Sequence, residues 1–89
     1  MNISQLTLDG LPTRFESCTL DVTDDGWAVT VVGFYEAYGV AEKQGQTVPV
    51  SFDTADGRHA GMAKVTHVDH EAHTAERMVV RLEGVGHLD

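Results

Sequence analysis

The stretch FESCTLDVTDDGWAVTVVGF, residues 15–34, decides the fold class. From Phe15 to Val22 it alternates, with Cys18, Leu20 and Val22 on one side and Ser17, Thr19 and Asp21 on the other. Successive side chains of a strand point to opposite faces, so this period of two gives one apolar and one polar face. Thr23-Asp24-Asp25-Gly26 interrupts the pattern, and Trp27 to Phe34 resumes it. Two strand-like runs joined by an Asp-Gly turn are the strongest short-range signal of a β-hairpin.

The rest of the chain reads in the same way. Ile3 to Leu8 places Leu6 and Leu8 on one face before Pro12 interrupts. Val48, Val50 and Phe52 alternate against Thr47, Pro49 and Ser51. Pro49 has no N–H to give a ladder, so its strand is expected at a sheet edge, or with the missing donor turned outward. A long run, His59 to His70, follows the turn at Asp53–Arg58. There Ala63 and Val65 share a parity that Val68 breaks, which predicts a β-bulge or sharp bend. The last strand is expected from Arg77 to Glu83, with Met78, Val80 and Leu82 on one face. The tail EGVGHLD, 83–89, is too glycine-rich to continue it. Residues 35–45, YEAYGVAEKQG, are split by Gly39 and read as an irregular connection with at most one short helical turn.

Composition agrees with this pattern. Twelve Val stand against six Leu, with nine Thr and six aromatics, a mixture that suits a pleated surface better than a helix. The expectation is an all-β domain spanning 1–89, a small, mostly antiparallel barrel of about six strands. Closure is favoured because it removes exposed edges. The expected core is Leu6, Leu8, Phe15, Leu20, Val22, Trp27, Val29, Val31, Val50, Phe52, Val65, Met78, Val80 and Leu82.

Charge and chemistry narrow the function classes. Six Lys and Arg against fourteen Asp and Glu leave a formal charge of −8, which argues against nucleic acid as a partner. No apolar run approaches the ~20 residues of a membrane span. MNISQLTLDG has neither a basic n-region nor an apolar h-region, so no signal peptide is expected. Cys18 is the only cysteine, so no internal disulfide forms, and a reducing, cytoplasmic setting is expected.

The five histidines fall in the last third of the chain, and His67, His70 and His73 follow an H-x-x-H-x-x-H spacing. Imidazoles with Asp69, Glu71 and Glu76 nearby could ligate a metal, which makes metal binding or a metal-assisted hydrolase the alternative function. In a strand, however, residues three apart face opposite sides, so only a turn near Asp69 could gather them. Cys18 is expected inside, where a thiol is inert. No serine has a nucleophile-elbow context, and Gly84-Val85-Gly86 lacks the spacing and following helix of a phosphate or dinucleotide loop. The reading is therefore a non-enzymatic chain with no cofactor. Tyr35 and Tyr38, with Val40 filling the gap between them, are the expected partner contacts, because interfaces enrich such rings. The partner is expected to be another protein with a basic face, or a second copy of the chain. Self-association is expected through an unpaired edge at the first strand or the Pro49 strand.

Residues 56–88 add a resemblance. Asp56-Gly57-Arg58, Gly61-Met62-Ala63-Lys64-Val65 and Leu82-Glu83-Gly84-Val85-Gly86-His87-Leu88 resemble the last third of small β-rich bacteriophage structural proteins, such as tail-tube and related virion subunits. The resemblance implies an assembly role in a virion, exercised through surfaces, and carries over no functional residue. A cyclic-dinucleotide-binding PilZ barrel is set aside, because Arg14 stands alone and the Asp/Asn-x-Ser-x-x-Gly strand is missing.

Overall fold

A computed structural model describes residues 1–33, 43–70 and 78–89, with 69, 70 and 78 described by backbone alone. These residues are all-β and form one antiparallel sheet of seven strands. The strands are β1 (Gln5–Leu8), β2 (Leu11–Pro12), β3 (Ser17–Thr23), β4 (Gly26–Val32), β5 (Thr47–Thr54), β6 (Gly57–His70) and β7 (Met78–Val85). Their order across the sheet is β2-β1-β5-β6-β7-β4-β3.

The β3–β4 hairpin stands as its alternation demands, paired from Ser17↔Val32 to Thr23↔Gly26. Its turn chemistry recurs at the β5–β6 hairpin, where Thr54-Ala55-Asp56-Gly57 repeats the Thr-x-Asp-Gly pattern. In both turns the threonine hydroxyl donates to the glycine carbonyl at 3.4 Å. Gly26 and Gly57 adopt φ of 149° and 120°, which only glycine takes without strain.

Four features bear on the expected arrangement. The first is one more strand than the six read from the sequence: Asp9 and Gly10 take φ of 52° and 80°, a two-residue primed turn that returns the chain as β2. Pro12 does not stop the chain; it lies on the outermost strand, where a missing N–H costs no ladder bond.

Secondly, β1 and the Pro49 strand β5 are interior, not edges. Pro49 is tolerated because its carbonyl accepts from Asp9 N at 2.8 Å, so its backbone groups face the β1–β2 turn, where the β1–β5 ladder ends. The missing donor thus points away from β6.

Thirdly, the ladder is open between β2 and β3 and does not close as a barrel strand to strand. Residues 1–3 instead lie along the outer side of β3. Ile3 N donates to Cys18 O at 2.9 Å, and Met1 and Leu20 exchange bonds of 2.7 and 3.1 Å. Fourthly, the glycine-rich tail does continue β7, as far as Val85. Beyond it Asp89 exchanges 2.9 and 3.2 Å bonds with Ala60 of β6.

The bulge read from parity is present: Val65 pairs with Leu82 and His67 with Arg81, leaving Thr66 as the extra residue. It turns Val68 back to the core that Ala63 and Val65 fill. Val29, Val31, Val65 and Leu82 have no exposed surface, and each contributes on the order of 1.5–3 kcal/mol by leaving water. Ile3, Cys18, Val48 and Ala63 join this core, whereas Phe15 only packs against it and Val22 is 69% exposed. The expected helical turn falls largely on 34–42, outside the described residues; Lys43 to Gln46 form a turn closed by Gln46 N to Lys43 O at 2.8 Å.

Candidate functional site

The site grows from the tip of the β3–β4 hairpin. Trp27 follows the turn on the inward parity of Val29 and Val31, and is 7% exposed. An indole there needs room that the neighbouring strands provide with glycine. A Cβ built on Gly84 of β7 would overlap the Trp27 ring, and one on Gly61 of β6 would lie 3.0 Å from it. The ring therefore lies flat across β7 and β6 and reaches Phe52 of β5, centroid to centroid 6.0 Å. Its Nε1 donates to the Gly86 carbonyl at 3.3 Å, which ties the tail to the hairpin.

Val22 pairs with Trp27 and shares the inward parity of Cys18 and Leu20. It is nonetheless 69% exposed at the end of the outermost strand β3. The result is a depression of about 480 Å³ whose apolar surface is Val22, Trp27 and Leu88, with Asp24, Asp25 and His87 around it. On the other side of the same tip lies a second depression of about 290 Å³, lined by Asp21, Asp25, Glu83 and Arg81 among others. Two depressions flanking one acidic turn can hold an apolar side chain with a cationic neighbour. They contain no assembled nucleophile and base.

The remaining candidates are scattered. Cys18 is buried behind β3, and burial pushes its thiol pKa up to about 12. That is the setting of a packed side chain, not of an activated one. His67 is exposed on β6 opposite Arg81, and His70 pairs with Met78 where β6 and β7 meet the loop between them. His73 lies outside the described residues, and among those described no group of three His, Cys, Asp or Glu is placed to hold a metal ion. Tyr35, Tyr38 and Val40 also lie outside the described residues.

The sheet edges are poorly suited to strand addition. Leu8 and Leu11 flank the two-residue turn, so by the antiparallel alternation Pro12 turns outward, with a carbonyl but no N–H. On β3 the outward groups are those of Cys18, whose carbonyl accepts from Ile3, of Leu20, which exchanges bonds with Met1, and of Val22. Trp27 read as core and the Asp-Asp-Gly turn read as a turn; that they form a site was not apparent from the sequence. The signal that could have found it is two glycines inside strand runs, which mark close approach of another group. No protein-family model, curated protein or solved structure matches the chain.

Proposed function

We propose that this chain is a non-enzymatic protein-binding or assembly module that docks a partner bearing basic side chains at the Trp27 hairpin tip. The observation that carries the reading is the 480 Å³ depression, which places exposed Val22 and the Trp27 edge beside Asp24 and Asp25. An apolar anchor in the depression excludes water, while a neighbouring Lys or Arg meets the carboxylates at the rim. The −8 charge of the chain would steer such a partner inward. The phage-like cadence of residues 56–88 is compatible with assembly as the purpose.

Trp27 is the only tryptophan, so its emission reports this site alone. The probe is a short synthetic peptide of alternating Lys and Leu, with a Glu-Leu peptide as control. The Lys-Leu peptide should shift the emission and bind at least about tenfold more weakly to an Asp24→Asn/Asp25→Asn variant. No binding up to about 1 mM, or equal binding by the variant, overturns the reading.

We also infer that the fold is closed in function as a barrel, with residues 1–3 completing the circuit from β3 while 5–8 pair with β5. The amides of Ile3 and Leu20 should then exchange with deuterium as slowly as those of β4. Exchange at the rate of an unprotected segment would show the sheet to be open.

A further inference from the structure

The solvent face of β5, β6 and β7 carries an apolar row that the hairpin-tip site does not use. Val48 and Val50, Ala63 and Val65, and Val80 and Leu82 are buried, so the residues between them face solvent. That places Pro49, Met62 and Val85 side by side, since Pro49 pairs with Met62 and Met62 with Val85. Met62 is 42% and Val85 48% exposed. One step along the strands, Lys64 stands opposite Glu83. No ion pair joins these two among the described residues, where the pairs formed are Lys43–Asp9 and Arg58–Asp53.

This face also carries charge of both signs. Among the residues whose side chains are described, Arg58, Lys64 and Arg81 lie on it with Asp53 and Glu83, a balance that the chain as a whole, with six Lys and Arg against fourteen acids, lacks. Two copies can therefore meet here with opposite charges apposed.

We propose that the solvent face of β5–β6–β7 is a self-association surface, its occupant a second copy related by a twofold axis along the strands between β6 and β7. Rotation about that axis exchanges β6 with β7 and leaves position along the strand unchanged. Because Lys64 and Glu83 are in register, each Lys64 then faces Glu83 of the second copy, and each Met62 faces Val85. One operation satisfies both the Met62 and Val85 part of the apolar row and the unpaired charges, the self-complementarity that an isologous interface requires. Sheets packed face to face diverge by about 30°, so contact is confined to the strands beside the axis. The dimer belongs at the weak end of interfaces, with a dissociation constant on the order of 10–100 μM.

Sedimentation velocity across a concentration series tests the geometry through charge exchange. Lys64→Glu and Glu83→Lys each set like charges opposite one another twice in the dimer and should weaken it about tenfold. The double variant restores both contacts and should recover the original association. Thermal melts of dilute protein separate this from any change in the monomer. Monomer throughout the concentration series up to about 1 mM overturns the proposal, as do single variants that associate as the parent does.

Discussion

Adding one methyl group at Gly84 tests the packing on which the hairpin-tip site depends. In Gly84→Ala the new Cβ clashes with the Trp27 indole, a rigid ring that cannot yield by rotating a terminal bond. Trp27 must leave its bed on β7 and β6, which also breaks its bond to the Gly86 carbonyl. Overpacking of a filled core costs about 1–3 kcal/mol, and the lost hydrogen bond roughly 0.5–1.5 kcal/mol more. Against this, Ala restricts the unfolded chain and returns about 0.4–1 kcal/mol. The packing loss dominates, leaving a net destabilisation of about 0.5–4 kcal/mol, centred near 2 kcal/mol. For a domain of this size that lowers the Tm by on the order of 10–20 °C. Thermal unfolding followed by circular dichroism measures it, and the emission of Trp27 should shift to the red as the ring gains water. Gly61→Ala, where the same ring is 3.0 Å away, should lose less. A Tm within about 2 °C of the parent and an unmoved emission maximum would refute the reasoning.

Three further outcomes follow from particular residues. Val22→Ala should cost under about 0.5 kcal/mol because Val22 is 69% exposed, whereas Val29→Ala, with nothing exposed, should cost roughly 2 kcal/mol; chemical denaturation of both compares them directly. Burial raises the Cys18 thiol pKa from 9.0 to about 12, so below pH 9 the thiol is neutral in both states and its contribution is intact. As pH climbs from 9 towards 12 the unfolded chain ionises first and stability falls, a decline that Cys18→Val should make shallower in a Tm series against pH. Pro12→Val would give β2 an outward N–H and remove its protection against strand addition; light scattering should then show association greater than the parent's.

The sequence by itself determined the local features. Period-two alternation identified the strands, the Thr-Asp-Asp-Gly and Thr-Ala-Asp-Gly turns located two hairpins, and the parity break before Val68 located a bulge. These signals sit within a few residues of one another, and each follows from backbone geometry that neighbouring side chains report. It did not determine which strand lies beside which. Pro49 suggested an edge, yet β5 lies between β1 and β6, because a proline can be interior wherever its nitrogen faces the end of a ladder. Asp9-Gly10 is an Asp-Gly dipeptide of the kind that makes hairpin turns, but the two-residue strand it starts is too short to show any period.

The site divides in the same way. Asp24, Asp25 and Trp27 were visible as a turn and a core aromatic, whereas the bed of Trp27 is made by Gly61, Gly84 and the Gly86 carbonyl, the last 59 residues along the chain. Val22 had the right parity for burial and remained exposed. Parity assigns a side chain to a face of the sheet, but only the reach of neighbouring strands decides whether that face is covered. Those neighbours come from distant parts of the sequence, and their order is set by the pairing of the whole sheet around one core.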